Sequence, residues 1–372
     1  MLIGVPKEIK VHEYRVGLTP GSVRELTRRG HRVMIETNAG REIGFDNKDY
    51  TEAGAKIVGS AAQIFAKAKM IVKVKEPQAS ECKMLNEGQV LFTYLHLAPD
   101  PKQTNGLLKS GAIAIAYETV TDGHGRLPLL APMSEVAGRM AAHVGAHCLE
   151  KASGGRGVLL GGVPGVAPAK VVVIGGGVVG TNAAVMAVGL GAEVVVFDNS
   201  AKRLAELDFH FAGRLKTIFS TASSLEEYVT QADLVIGAVL IPGAAAPKLV
   251  TRKMIKDMPR GSVIVDVAID QGGCFATSKA TTHANPTYVV DDVVHYCVAN
   301  MPGAVARTST LALNNATLPY TMVLAEKGYR KALRADLHLR GGLNIHEGKV
   351  TYEAVARALS HKYHPPEDVL AA

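Results

Sequence analysis

Ten consecutive residues constrain this chain more than any others: Val171-Val172-Val173-Ile174-Gly175-Gly176-Gly177-Val178-Val179-Gly180. Four β-branched residues run into a G-x-G-x-x-G turn. Ala183, Ala184, Met186 and Ala187 then follow at helix-compatible spacing, and Glu193-Val194-Val195-Val196-Phe197-Asp198 forms a second apolar run that ends in a carboxylate. The order strand, glycine turn, helix, strand, acid has a mechanical reason at each step. Gly175 permits the tight turn, Gly177 lets a pyrophosphate approach the backbone, and Gly180 lets the helix pack close to the strand. The helix opening at Val178 offers unpaired N–H groups and a partial positive charge to phosphates. Asp198, eighteen residues past Gly180, stands where a carboxylate takes the hydroxyls of an adenosine ribose. The segment therefore predicts dinucleotide binding.

The remaining composition narrows the class. A chain of 372 residues has room for two full cores. It is 47% hydrophobic and 20% charged, with no apolar run of membrane-spanning length and no targeting segment, so the expectation is a soluble cytoplasmic protein. The four cysteines, Cys82, Cys148, Cys274 and Cys297, are scattered and read as buried free thiols. The formal charge of +7 comes from dispersed Lys and Arg, and tryptophan is absent, which argues against a nucleic-acid partner.

Residues 1–120 alternate short apolar runs (Ile3–Val5, Arg32–Ile35, Lys56–Val58, Met70–Val74, Val90–Leu95, Ala112–Tyr117) with helical patterns, which predicts a parallel sheet covered on both faces. Pro128–Met133 interrupts that rhythm. A long apolar stripe of Val136, Met140, Val144 and Cys148 predicts a helix from about Ser134, its N-cap, to Lys151. After Asp198, strand patterns at Asp233–Leu240, Ser262–Ile269, Tyr288–Val290 and Tyr296–Val298 complete a nucleotide unit of about six strands. A second long helical pattern, Thr308 to Tyr329, leads the chain back. The expected fold is α/β, two doubly wound Rossmann-like domains joined by two long helices. The nucleotide domain, 130–303, is inserted in a substrate domain made of 1–129 and 304–372.

Four polar sites in apolar or glycine-rich settings carry candidate chemistry. Arg15 follows the first strand, at the sheet end where open α/β folds bind ligands, and its planar fork suits a carboxylate; equally it reads as a surface arginine. In Val72-Lys73-Val74-Lys75 the alternation puts both lysines on one side of the strand, with Lys75 nearest its carboxyl end, where a lysine reads either as holding a carbonyl or carboxylate oxygen or as a snorkelling strand residue. His96 begins the loop after an apolar strand, as an acid/base group or a structural histidine. Asp270 follows a long buried strand before Gly272-Gly273, at the nicotinamide end of a nucleotide site. His143 and His147 share a helix face but have no carboxylate or thiol at a zinc spacing, so they read as structural or surface residues.

Taken together these strings resemble the alanine dehydrogenases, of the superfamily shared with the nucleotide-binding subunit of proton-translocating transhydrogenase. The resemblance runs end to end. It is densest in Glu13–Val16, Val74–Pro77, Leu95–Leu97, Leu129–Gly138, Gly161–Val166, Ala268–Cys274 and Val298–Pro302. It implies reversible oxidative deamination of L-alanine to pyruvate and ammonium with NAD. Arg15 and Lys75 would bind the substrate, His96 would be the acid/base group and Asp270 its partner. The family pattern places Ser134, Val178, Asp198, Arg203, Ser220, Val239, Leu240, Val267, Asp270, Asn300 and Met301 around the cofactor with Gly175, Gly177 and Gly180. Some members bind a metal through a Glu and a His where this chain has Val323 and Lys327, so no metal is expected. The resemblance also implies a homo-oligomer, a hexamer.

Two other readings compete. A transhydrogenase-type subunit would bind NAD(H) and pass hydride to a partner, with no use for the His96 and Asp270 pair. A non-catalytic NAD-binding scaffold would keep the glycines without Arg15, Lys75, His96 and Asp270.

Overall fold

In the computed structural model, which describes residues 1–239 and 246–371, the chain divides into two compact units. Met1–Met133 with Val305–Ala372 form the first, and Ser134–Ala304 the second.

The first unit is built on an eight-stranded sheet. Its order is Lys349–Val350, Leu343–His346, Ile113–Ala116, Val90–Thr93, Met70–Val72, Leu2–Val5, Arg32–Glu36 and Lys56–Val58. The six strands from the N-terminal segment are parallel, as the βα alternation predicts. The C-terminal segment adds an antiparallel pair at the edge, which the sequence reading did not anticipate. The strand interiors are apolar on both faces, and one face packs against Ile64, Phe65, Leu85, Leu107 and Val355. The helix Pro20–Arg28 starts as expected: the Thr19 side chain accepts the Ser22 N–H, and Pro20 occupies a first-turn position where its missing donor costs nothing.

The second unit carries a seven-stranded sheet, one strand more than expected. Its order is Thr287–Val290, Val293–Tyr296, Val263–Asp266, Leu234–Gly237, Lys170–Ile174, Glu193–Asp198 and Lys216–Phe219. All pairings are parallel except the edge hairpin Thr287–Val290/Val293–Tyr296. Winding reverses between Lys170–Ile174 and Leu234–Gly237, the switch point where doubly wound sheets take their ligand.

Several expected boundaries shift. The long helix runs Ala131–Cys148, so Ser134 lies inside its first turns and does not cap it. Pro132 is no break there, because proline is tolerated in a first turn. The buried run at 262–269 is a strand only over Val263–Asp266; Val267–Gln271 closes into a 3-10 turn that contains Asp270. The last strand is Val293–Tyr296, earlier than the Tyr296–Val298 pattern suggested. The return helix spans Ala306–Lys327 despite Pro319, and Gly328 separates it from Tyr329–Ala335. Among the described residues no helix is long and apolar enough to cross a membrane.

Candidate active site

In the second unit, Ile174 hands the chain to Gly175 at φ +101°, a conformation open to glycine and closed to most side chains. Helix Val178–Gly189 begins at Gly177 with no side-chain cap, so its first N–H groups face outward. A Cβ at Gly180 would sit 1.7 Å from the Gly175 carbonyl oxygen, so only glycine lets this helix leave the strand so closely. A Cβ at Gly177 would meet nothing within 4 Å; the space it leaves suits an incoming phosphate.

Asp198 ends its strand beside this turn. One carboxylate oxygen accepts the Gly176 N–H at 2.8 Å and the other the Ser200 N–H at 2.8 Å. Each keeps a second lone pair for a hydroxyl donor. Arg203 is committed nearby: its Nε donates to the Gly176 carbonyl at 2.7 Å and its Nη2 to the Thr181 hydroxyl at 2.7 Å, and its Nη1 pairs with Glu206 at 2.8 Å. Ser220, Val239, Val267 and Asn300-Met301 each lie within a few residues of the carboxyl end of a neighbouring strand. Ser220 donates its N–H to the Asp198 carbonyl at 3.0 Å, and Asn300 sits at φ +63°. Leu240 lies outside the described residues. Asp270 is exposed in its 3-10 turn. That turn is anchored by Asp266, fully buried, which accepts N–H bonds from Ala268 at 3.1 Å and Cys274 at 3.0 Å and the hydroxyl of Ser278. Burial holds the Asp266 carboxyl above the usual range despite these bonds.

In the first unit, three adjacent parallel strands bring the other candidates together. Lys75 follows Met70–Val72, and His96 follows the neighbouring Val90–Thr93. Arg15 follows Leu2–Val5 on the other side. All three leave the sheet at its carboxyl end. The Lys75 side chain is 13% exposed, and its ammonium lies 3.6 Å from Glu76. His96 is exposed, its ring stacked on Tyr94 at 5.9 Å and 10°. Tyr94 is fixed by its hydroxyl, which donates to the Leu129 carbonyl at 2.5 Å.

One alternative and one expectation fall here. Arg15 is not a surface residue: it is 2% exposed, with Nε and Nη2 donating to the two Glu13 oxygens at 2.7 and 2.5 Å and Nη1 to the Met133 sulfur at 3.1 Å. Burial pulls its pKa down, and the bonds and charge of Glu13 more than restore it. Lys73 and Lys75 do not lie on one side of a strand, because the strand ends at Val72 and alternation stops with it. Lys73 turns inward between Glu8 at 2.9 Å and Glu81 at 2.8 Å, with no exposed side-chain surface. It neither snorkels nor reaches the ligand side.

The sequence reading gave no role to Glu8, Glu13, Tyr94, Glu118 or Asp266. Glu13 carried a signal, two residues from Arg15. Glu8, Tyr94 and Glu118 act on main-chain groups 22 to 67 residues away, which no local pattern reports. Among the described residues no group of three or more His, Cys, Asp or Glu could hold a metal ion.

The chain is similar to known proteins over almost its whole length. Residues 4–137 match the family described as Alanine dehydrogenase/PNT, N-terminal domain, and residues 141–353 its C-terminal domain. An alanine dehydrogenase of Halomonas elongata is 64% identical over 98% of both chains. One of Mycolicibacterium smegmatis is 56% identical over 96% of this chain and 97% of its own. A solved L-alanine dehydrogenase superposes with a TM-score of 0.94 at 53% identity, covering 97% of this chain and 99% of the other. A transhydrogenase from Sinorhizobium meliloti follows the same fold more distantly, at TM-score 0.81 and 26% identity over 95% of this chain and 100% of its own.

Proposed function

The chain belongs to the alanine dehydrogenase/PNT family, and from that membership we infer that it catalyses the reversible oxidative deamination of L-alanine. Alanine, NAD⁺ and water give pyruvate, ammonium, NADH and a proton. The observation that carries this reading over a transhydrogenase subunit is substrate chemistry in the first unit: Arg15, Lys75 and His96 leave one sheet end on adjacent strands. A carrier that passes hydride to a partner needs none of them. The test is NADH formation on adding L-alanine to the isolated protein with NAD. No NADH without a partner protein would favour the transhydrogenase reading.

The first unit serves as the substrate domain and the second holds NAD. The fit of NAD rests on the uncapped helix start at Gly177, the open space over it, and the spare acceptor capacity of Asp198. When bound, NAD supplies the acceptor for the hydride leaving the substrate carbon. Gly175–Gly180 and Asp198 hold its pyrophosphate and adenosine ribose, with Ser134, Ser220, Val239, Leu240, Val267, Asn300 and Met301 as further contacts. Arg15 and Lys75 bind the carboxylate and oxo group and so orient the reacting carbon. Glu13 fixes the guanidinium for this in advance, and a carboxylate oxygen is a far better acceptor for Nη1 than the Met133 sulfur. His96 moves the protons as water adds to the imine and ammonium leaves, and Asp270 assists.

Lys75→Ala should weaken pyruvate binding to the enzyme–NADH complex by about 1.5–3 kcal/mol, roughly 10- to 150-fold, and leave NADH affinity alone. An unchanged pyruvate dissociation constant would remove Lys75 from the site. Arg15→Ala is the less clean variant, because it also strips the cation from Glu13, whose side chain is fully buried.

The cofactor is NAD in preference to NADP. A 2′-phosphate would meet the Asp198 charge, and Arg203 could turn toward it only by giving up its bonds to Gly176, Thr181 and Glu206. Asp198→Ala should narrow the ratio of kcat/KM with NAD to that with NADP, mainly by weakening NAD. A wild-type ratio near one, or a ratio the substitution does not change, would count against ribose recognition by Asp198.

We place the enzyme in the cytoplasm as a homo-oligomer, a hexamer. In support, Leu159, Val163, Val166 and Leu190 expose 46–65% of their surface around one loop, where the Gly161 Cβ position lies 2.4 Å from the Leu190 carbonyl. A monomer in sedimentation velocity would rule this out.

A further inference from the structure

Glu118 lies in the 3-10 turn Tyr117–Thr119, directly after the strand Ile113–Ala116. That strand pairs in parallel with Val90–Thr93, with Thr93 opposite Ala116. The segments that leave the two strands at the same end, Leu95-His96 and Glu118, are therefore neighbours. The Glu118 carboxylate accepts the His96 N–H at 2.6 Å on Oε1 and the Leu95 N–H at 3.2 Å on each oxygen. Bonds from main-chain donors to a carboxylate are charge-assisted and among the stronger a loop can make.

The clamp falls on an unusual backbone. His96 has φ +48°, in the left-handed region that non-glycine side chains avoid. A conformation of this kind persists where the surroundings over-determine it. Here two constraints converge on one residue. Glu118 holds the main chain, and Tyr94 holds the plane of the exposed ring by stacking. Tyr94 is in turn braced edge-on by Tyr117 at 5.1 Å, the residue next to Glu118.

We propose that Glu118 is a positioning residue for His96: its carboxylate holds Leu95-His96 in the left-handed turn that presents the imidazole to substrate. The proposal rests on the acid/base role of His96. It does not make Glu118 a proton donor or acceptor. An imidazole released from the turn keeps its chemistry and loses its aim, and misplacement by about 1 Å can cost on the order of 100-fold in rate.

The experiment uses the full-length enzyme with NADH, pyruvate and ammonium. Glu118→Ala should lower kcat about 10- to 100-fold, with KM for pyruvate and the NADH dissociation constant within about twofold of wild type. Glu118→Gln keeps one acceptor oxygen and should lose only about three- to fivefold. In a His96→Ala background, Glu118→Ala should cost less than about a further twofold, because no imidazole remains to be placed. Persistence of the full loss in that background, or an equal loss in NADH binding, assigns Glu118 to general stability and overturns the proposal. So does a wild-type kcat in Glu118→Ala. Should Glu118→Ala fail to fold, Glu118→Gln carries the same cycle, with its smaller loss present in wild type and absent with His96→Ala. Near-normal turnover in His96→Ala alone would overturn the role of His96 first, a result separable from any Glu118 outcome.

Discussion

Replacing His96 by alanine is expected to lower turnover of L-alanine about 10²- to 10⁴-fold, the range over which a positioned acid/base group contributes. The ring is exposed and its loop is held by bonds to the main chain, so removing the imidazole leaves the fold unchanged. NADH binding should persist, because the residues assigned to the cofactor lie in the other unit. Asp270→Asn should lower turnover over the same range with the fold kept, because Asp270 is exposed in a turn whose anchor is Asp266. Steady-state kcat and a fluorescence titration with NADH separate the two effects. A His96→Ala enzyme that turns over at near the wild-type rate would exclude the imidazole from proton transfer, and one that loses NADH affinity in proportion would point to a structural role.

The nucleotide unit is legible in the sequence because its logic is local. Strand, glycine turn, helix and acid follow one another within 30 residues, each with its own period, and the structure reproduces them as Lys170–Ile174, Gly175–Gly177, Val178–Gly189 and Glu193–Asp198. The missed strand, Lys216–Phe219, is an edge strand with exposed ends, so it carries neither a continuous apolar run nor a clean alternation. Of the carboxylates behind the candidate site, Glu13 and Asp266 serve their own loops, whereas Glu8 and Glu118 reach segments 22 to 67 residues away and leave no local trace. Glu8 accepts the N–H groups of Val74 and Lys75, Glu13 that of Arg15, Glu118 those of Leu95 and His96, and Asp266 those of Ala268 and Cys274. In each case an acid takes main-chain donors beside or flanking a residue with a proposed role, at a loop where no strand partner is left to take them. Periodicity reports which face a side chain occupies. It does not report which distant carboxylate satisfies a loop's N–H groups. The residues expected to meet substrate could be read from type and place, and the residues that aim them could not.

Lys73 shows what that hidden layer contributes to stability. Its ammonium has no exposed surface and lies between Glu8 and Glu81, themselves 3% and 1% exposed. Burial pulls the lysine pKa down, but two carboxylates within hydrogen-bond reach more than offset it and hold the pKa above its ordinary value. Neither acid is idle otherwise: Glu8 takes the Val74 and Lys75 N–H groups, and Glu81 takes the Gln78 N–H at the start of the helix Ala79–Cys82. Lys73→Met would leave two buried carboxylates facing each other without a cation, and it should cost about 3–5 kcal/mol, read as a lower denaturation midpoint. Combining it with Glu8→Gln and Glu81→Gln should recover most of that loss. The buried charge is then gone, while both side chains still offer an acceptor oxygen to the N–H groups they serve. The pH dependence has a definite sign. A lysine whose folded pKa is raised contributes fully below its unfolded value and loses the contribution only as pH climbs through the folded one. The gap between wild type and Lys73→Met should therefore be present at neutral pH, and the lysine's part of it should be lost only in the alkaline range, above the ordinary lysine pKa. A single substitution that left the midpoint unchanged, or a triple variant no more stable than the single, would mean the lysine does not offset the charge of these two acids, and that Glu8 holds the Lys75 turn without it.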